Sequence, residues 1–487
     1  MLILWPIHQL EREHSQYPGI MMISAVLKAR GFRSEVVSAE IDSVTARLET
    51  EGDAIIGFSS TTAFVMRYLE LARAVKLRFP RMLTVFGGAH PTYFPEMIED
   101  EGVDVVCVGE GEYAMAELVE ARRRGADFTS IRNLWVKQNG TIHKNPLRPL
   151  LRDLDELPTP DHRLFLDAAR TPLMHAIVMT GRGCPYSCTY CYNNAYKKLY
   201  SGLGPVVRRR SVGHVMEELR LLKAGGCRMI RFMDDIFTVS ADWVHEFAER
   251  YRSEIGLPFT CLARANLMTP AIARDLKNAG CHRVLIGVEA GNDRLRHEVF
   301  KRKMSKEQIL DAAKMIRAAG IKLVTASILA IPGGSLAADW ETVELNIKAQ
   351  ASFASASLLQ AMPGTEIHEY AQHLGLLHED NIQRISTGGF GFSTALRHED
   401  RRDAKQMENL HKFFTLVTWF PWLKPLVRLL IKLPPNRLYV AIYMATFNIG
   451  SHLIAMPARI GFPILVKRFV RKLMPRRRRK AVAEVVE

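Results

Sequence analysis

The chain has 487 residues, 48% of them hydrophobic, enough for two to four domains with ordinary cores and too apolar for a disordered protein. Its seven cysteines form no paired framework, and Trp5-Pro6 interrupts the short apolar start. That excludes a disulfide-built secreted module and indicates a reducing cytoplasm. The formal charge of +15 is local, with 18 Lys and Arg against four Asp and Glu between Arg401 and Glu487, so the acidic partner, membrane surface or nucleic acid it implies belongs to the C-terminal end.

Residues 1–5 read as a buried strand and 19–29 as a helix stopped by Gly31. Strands follow at 34–37, 53–59, 83–86 and 103–108, with helices at 64–79 and from Glu112. Short apolar strands alternating with helices predict an α/β, doubly wound parallel sheet over residues 1–150, with ligands outside the strands' carboxyl ends. Two such ends carry glycine turns, Phe86-Gly-Gly-Ala-His-Pro91 and Val108-Gly-Glu-Gly-Glu112. Gly87, Gly88, Gly109 and Gly111 either admit a ligand close to the backbone or serve only as tight strand-to-helix turns.

A proline-punctuated charged stretch, residues 151–170, reads as a linker, and βα alternation resumes over 171–376. Strands are expected near 176–179, 229–233, 259–262, 283–287, 322–331 and 354–359, with helices at 212–224 and 306–319. Six units curl into an open, partial (β/α)6 barrel with reactive groups at the strand carboxyl ends. Those ends carry Asp234-Asp235, Arg264 with Asn266, Glu289, Pro332-Gly333-Gly334 and Pro363-Gly364 in turn. After the first strand come Cys184, Cys188 and Cys191, spaced C-x3-C-x2-C. Three thiolates can hold three irons of a [4Fe-4S] cube and leave the fourth open; the rival readings are packing or disulfide thiols, or a zinc site, which would want a fourth nearby ligand. Gly181 and Gly183 let the loop fold tightly, and Pro185 stiffens it. Asp234 and Asp235, in an otherwise apolar segment, either face a cation or form a hydrated turn. Cys227, Cys261 and Cys281 read as packing thiols.

The segment Thr180-Gly-Arg-Gly-Cys-Pro-Tyr-Ser-Cys-Thr-Tyr-Cys191 resembles the cluster loop of radical S-adenosylmethionine (SAM) enzymes. The glycine turns and alternation of residues 1–150 resemble the cobalamin-binding domain of the class that includes the B12-dependent methyltransferases and the anaerobic Mg-protoporphyrin ester cyclases. The resemblance implies a [4Fe-4S] cluster whose open iron chelates SAM, reductive cleavage of SAM to a 5′-deoxyadenosyl radical, an electron donor such as flavodoxin or ferredoxin, and cobalamin at Gly87, Gly88, Gly109 and Gly111. It implies Tyr190 beside the adenine, Asp234 and Asp235 toward the methionyl ammonium, and Arg264 and Glu289 near SAM, Glu289 through Gly287-Val-Glu-Ala-Gly291. For Glu289 the rival is a structural carboxylate paired with Arg264 or Arg283. Gln360-Ala-Met-Pro-Gly-Thr-Glu366 resembles the family's structural strand-six turn. Two departures stand out. Gly334 occupies a common glutamate position, and no Asp-x-His-x-x-Gly occurs, His8 and His14 being out of frame. A bound cobalamin would then have no motif histidine below it; alternatively the domain survives as an empty scaffold.

Residues 377–487 form a basic, apolar helical region. Lys424, Arg428 and Lys432 fall on one helical side and Leu426, Leu429, Leu430 and Leu433 on another, an interfacial pattern. Residues 438–456 are more evenly apolar, but Asn448, Gly450, Ser451 and His452 make a full span doubtful. With the basic run 476–480 this suits an anionic membrane leaflet and disfavours nucleic acid, because so much exposed Phe, Trp and Leu would be costly on a soluble arm. The bland alternative is that these helices pack on the barrel. The expectation is a cytoplasmic, peripherally membrane-associated enzyme abstracting hydrogen from a hydrophobic lipid, isoprenoid or tetrapyrrole. Cobalamin would favour C-methylation; without it, ring formation, C–C coupling or rearrangement. An RNA-modifying methylthiotransferase would carry an RNA-binding β-barrel and usually a second cysteine cluster, and neither pattern is present.

Overall fold

The computed structural model describes every residue except 9–15, 52, 166–173, 388–392, 398–400, 455 and 458–487. His14 and the basic run 476–480 therefore lie outside the described residues. The chain divides into two compact units. One comprises Met1–Asp235, Val299–Arg302 and Gln360–Arg397; the other comprises Ile236–Glu298, Lys303–Leu359 and His398–Glu487.

In the first unit, β1 (Leu2–Ile7), β2 (Arg33–Ser38), β3 (Ala54–Ser59), β4 (Leu83–Gly87) and β5 (Val105–Cys107) pair in parallel in the order 2-1-3-4-5. Their near-continuous apolar runs are what a parallel sheet buried on both faces requires. Side chains alternate: Leu2 and Leu4 enter one core with Ile56, Phe58 and Phe86, while Ile3, Trp5 and Ile7 enter the other with Ile55 and Val85. Helices Pro18–Ala29 and Glu112–Arg124 cover the second face, Ile41–Glu49 and Val65–Arg78 the first.

The sheet departs from the sequence expectation at its edge. There β6 (Leu134–Gln138) and β7 (Thr141–Lys144) add an antiparallel hairpin. Its two-residue turn is Asn139-Gly140, both at positive φ (51° and 77°), the backbone that matches strand twist in a tight hairpin. The same unit holds β8 (Ala176–Val178), the two-residue strands β9 (Gly181–Arg182) and β10 (Arg208–Arg209), and β11 (Ile230–Phe232). β8 pairs with β11 in parallel and β9 with β10 antiparallel.

In the second unit β12 (Phe259–Ala263), β13 (Cys281–Glu289), β14 (Lys322–Leu329) and β15 (Phe353–Leu358) pair consecutively in parallel. Counting β8 and β11 of the first unit, all six strands expected over residues 171–376 are present. Helices begin at Ser240, Thr269, Ser305 and Ser335, each side chain accepting from the N–H three residues on, and Gln308 completes a capping box at Ser305. Cys227, Cys261 and Cys281 are buried, as packing residues should be.

Helix Arg401–Trp419 is part of this core: Leu410, Phe413, Phe414 and Val417 pack with Leu329, Val343, Ala354 and Leu358. Polar groups on the helix meet backbone carbonyls of β15, Thr415 Oγ1 donating to Ala354 O at 2.8 Å and Trp419 Nε1 to Ser352 O, just ahead of the strand, at 3.0 Å. The helix thus satisfies the packing reading, and the exposed apolar surface begins after it. In Lys424–Leu430 and the turn beyond, Val427 and Ile431 are buried, whereas Leu426, Leu429 and Leu433 face outward. Lys424 pairs with Glu344 at 2.8 Å and Arg428 lies 5.1 Å over the Trp340 ring. Among the described residues no helix is long and apolar enough to cross a membrane.

Phe413 is 1% exposed and Trp422 74%. Phe413→Ala is expected to cost about 3–5 kcal/mol of stability and Trp422→Ala to stay within about 0.5 kcal/mol, checked by chemical denaturation of the full chain.

Candidate active site

The cysteine loop leaves β9 and ends at helix Tyr192–Leu199, with Cys191 as its N-terminal cap residue. Gly183 sits at φ +84°, where a Cβ would lie 2.2 Å from Val206 O, so the turn ahead of Cys184 admits only glycine. No disulfide forms; Cys188 is buried and Cys184 and Cys191 are partly so. Burial pushes the Cys191 thiol up to about 11, with the Asp235 carboxylate and the other two thiols adding to the shift and the Asn193 N–H opposing it. Among the described residues no three His, Cys, Asp or Glu side chains converge on one metal ion. A cube does not ask for that, since each thiolate takes a different iron.

The loop's shape is imposed from outside it. Lys197 Nζ donates to Pro185 O (3.2 Å), Tyr186 O (2.8 Å) and Ser187 Oγ (2.7 Å). Thr189 donates through its N–H to Phe300 O (3.2 Å) and through its hydroxyl to Val299 O (2.6 Å). Tyr190 packs on Phe300 at 4.6 Å between centroids. Arg302 Nη1 reaches both Tyr190 Oη (3.3 Å) and Cys188 Sγ (3.8 Å). From the Pro-Gly-Thr-Glu turn, Glu366 accepts from Lys198 (2.8 Å), Lys301 (2.7 Å) and Asn194 (3.0 Å), and these partners hold its carboxyl down to about 2.

Asp234 and Asp235 have separate partners. Asp234 is buried and accepts from Thr180 N and Oγ1, both at 2.8 Å. Burial raises its pKa against the pull of Arg209. It therefore fixes the strand end from which the loop departs. Asp235 is exposed and accepts from Asn193 Nδ2 at 2.7 Å, beside Cys191.

Arg264 and Glu289 belong to the second unit. Arg264 is buried, and its Nε donates to Asn266 Oδ1 at 2.8 Å. Glu289 sits at φ +61° where the β13–β14 register shifts. A non-glycine residue in that region is strained, and bulges of this kind re-aim side chains near active sites.

The four turn glycines come together around a cavity of about 260 Å³ at the carboxyl edge of β1, β3, β4 and β5. This is the switch point of a 2-1-3-4-5 sheet, where such folds bind ligands. Trp5, Met21, Ile23, Phe58 and Met115 supply apolar wall, and Gly87, Gly88, Gly109 and Gly111 the rim. Gly88 (φ +100°) and Gly109 (φ +81°) allow no Cβ, which would lie 2.9 Å from Ser60 O and 1.8 Å from Tyr200 Oη respectively. Between the two glycines of the second turn, Glu110 pairs with Arg208 (2.6 Å) and Arg182 (2.9 Å), and Glu112 pairs with Arg182 (2.6 Å). Burial alone would raise the Glu110 pKa, but these two guanidinium groups hold it below the usual carboxylate range. Arg182 stands two residues before Cys184, so the cavity's rim and the root of the cysteine loop share one ion network.

Residues 178–345 match the radical SAM superfamily and residues 15–119 the B12 binding domain. An uncharacterized methyltransferase of Pyrococcus horikoshii is 28% identical over 363 residues, covering 73% of this chain and 77% of that protein. The hopanoid C-3 methylase of Methylococcus capsulatus is 24% identical over 368 residues, 72% of this chain and 67% of that protein. Among solved structures, the cobalamin-dependent SAM radical enzyme OxsB, with aqua-cobalamin and SAM bound, superposes with a TM-score of 0.68 at 16% identity, over 97% of this chain and 75% of that one; at that identity the likeness shows the fold.

The residues present fit these cofactors. Three unbridged thiols suit a [4Fe-4S] cluster with an open iron. The side-chain-free rims at Gly87, Gly88, Gly109 and Gly111 would let a flat macrocycle approach the backbone, and the apolar wall would suit its ring. Among the described residues no histidine lines the cavity, and His8 lies tilted against the Tyr68 ring, 4.7 Å between centroids. Residues 15–119 therefore carry a B12 binding domain and residues 178–345 a radical SAM domain, in the order the glycine turns and cysteines imply, and the cofactors these domains imply are a [4Fe-4S] cluster, SAM and cobalamin.

Proposed function

We propose that this enzyme C-methylates a hydrophobic substrate, a lipid, isoprenoid or tetrapyrrole, while docked peripherally on the cytoplasmic face of an anionic membrane. The observation that carries the reading is the apolar surface after Trp419: Trp422, Leu426, Leu429, Leu433 and Leu438 are all exposed, Leu429 by 63%, next to the exposed Lys432. Exposed Trp and Leu beside cations form the pattern of an interfacial helix, and so much apolar surface costs free energy in water. The name of the Methylococcus capsulatus relative, a hopanoid C-3 methylase, is consistent with such a substrate.

When bound, the cluster supplies the electron that cleaves SAM to a 5′-deoxyadenosyl radical, and cobalamin supplies the methyl group for the substrate carbon radical. The chain's own residues hold and orient. Cys184, Cys188 and Cys191 ligate the cluster, and Tyr190, buttressed by Phe300, offers an aromatic surface to the adenine. Asp234 keeps Thr180, and with it the first turn of the loop, in place; Asp235, Arg264 and Glu289 are the polar groups assigned to SAM. Gly87, Gly88, Gly109 and Gly111 leave room for the corrin, and Glu110 holds their turn against the loop through Arg182. The reductant is a small electron carrier of the flavodoxin or ferredoxin kind.

Anaerobic reconstitution with SAM and dithionite should release 5′-deoxyadenosine from the wild-type enzyme and none from Cys188→Ala; product from the variant would refute the ligand assignment. At Gly87 a Cβ would meet only Cys107 Cβ, at 3.6 Å. Gly87→Leu should therefore keep the fold but fill the cavity, lowering bound cobalt per chain at least tenfold while iron content stays at the wild-type level. On liposomes containing phosphatidylserine, Leu426→Glu/Leu429→Glu should abolish flotation without loss of folding, and equal flotation of the double variant would count against docking. The substrate itself is read by comparing lipid extracts of cells with and without the enzyme for a species heavier by one methylene; its absence from lipids and tetrapyrroles would overturn the substrate class.

A further inference from the structure

The four residues Val299–Arg302 lie in sequence between two stretches of the second unit, yet belong to the compact unit of the cysteine loop. They follow a π-helical turn, Leu295–Val299, in which Arg296 is completely buried, its Nε donating to Met304 O at 2.7 Å and its Nη1 to Ala290 O at 3.0 Å. The segment's backbone takes the hydrogen bonds of Thr189, and its last side chain, Arg302, is only 6% exposed. Arg302 Nη1 points at Cys188 Sγ, the most buried of the three thiols, and at Tyr190 Oη.

A guanidinium is never neutral in a protein, and one held beside a ligand sulfur in a dry setting acts on the charge of the metal centre. Reduction adds one negative charge to a cluster. A cation and an N–H donor at its sulfur stabilise the reduced state more than the oxidised one, and hydrogen bonds to cluster sulfurs and solvent exclusion are the levers that set such potentials. We propose that Arg302 is a positioning residue that raises the reduction potential of the [4Fe-4S] cluster by donating to Cys188, and through Tyr190 ties that sulfur to the aromatic side chain beside it. The inference rests on the cysteines ligating the cluster. It asks more than that, because a brace that merely kept the loop folded would leave the potential where it was.

The test uses the full chain, anaerobically reconstituted, as wild type, Arg302→Lys and Arg302→Gln, with iron and sulfide content measured first. Redox titration with deazaflavin or titanium(III) citrate, followed by electron paramagnetic resonance of the reduced cluster without SAM, gives the midpoint. Gln, which removes the charge, should lower the equilibrium constant for reduction about tenfold, a shift of about 59 mV to more negative potential for one electron. Lys, which keeps the charge but not the fork, should recover most of it. A Gln variant with full iron content and the wild-type midpoint would overturn the proposal, as would loss of the cluster from both variants while circular dichroism shows a folded chain. Failure of the cluster assignment itself would show separately, as a wild-type chain without a [4Fe-4S] spectrum.

Discussion

Between β9 and the helix that starts at Tyr192, the cysteine loop contains almost no regular secondary structure, so its backbone polar groups and its shape have to be satisfied by groups from elsewhere. That constraint organises the first unit. One cation meets two carbonyls and a hydroxyl on one side of the loop, a four-residue segment accepts both donors of Thr189 on another, and a carboxylate with three partners fixes the following helix. The cation comes from the helix that follows the loop, and the other two groups come from more than 60 residues away in sequence.

The second organising interaction is the pairing of Glu110 and Glu112 with Arg182 and Arg208. Buried ion pairs contribute little net stability, since desolvation offsets most of the attraction. What they supply is register: a carboxylate with two guanidinium partners tolerates few alternative placements of the turn that carries it. Hydrogen bonds to the turn's backbone add to that definition: Gly109 N–H donates to Thr92 Oγ1 at 3.0 Å, Glu110 N–H to Tyr200 Oη at 3.2 Å, and Asn133 Nδ2 to Glu110 O at 2.7 Å.

Much of this was legible in the sequence where the signal was local. The alternation of residues 1–108 gave the strands to within one or two residues, and the spacing of Cys184, Cys188 and Cys191 pointed to the cluster because its ligands are contiguous. Asn139-Gly140 is an equally strong local signal for a hairpin, but it follows five parallel strands, whose pattern does not lead to an antiparallel edge. Arg302 could not be found this way, since in Lys301-Arg302-Lys303 it reads as part of a solvated run and only the tertiary fold turns it inward. Lys197 and Glu366 are hidden for the same reason. The C-terminal helices failed differently: Val427 and Ile431 on one arc and Leu426, Leu429 and Leu433 on another are all apolar, so periodicity finds a helix but cannot tell which arc the core receives.

Helix Arg401–Trp419 has a consequence for the order of events during synthesis. β14 and β15 emerge from the ribosome well before the segment carrying Leu410, Phe413, Phe414 and Val417, yet it is that segment which covers Ala354 and Leu358. Domains generally fold as their residues emerge, but here the second unit keeps a bare apolar strand until helix Arg401–Trp419 has been made. During that interval the nascent protein presents an uncovered parallel edge of the kind chaperones hold and aggregates recruit. Removing helix Arg401–Trp419 would therefore strip the interior of the unit rather than trim an appendage.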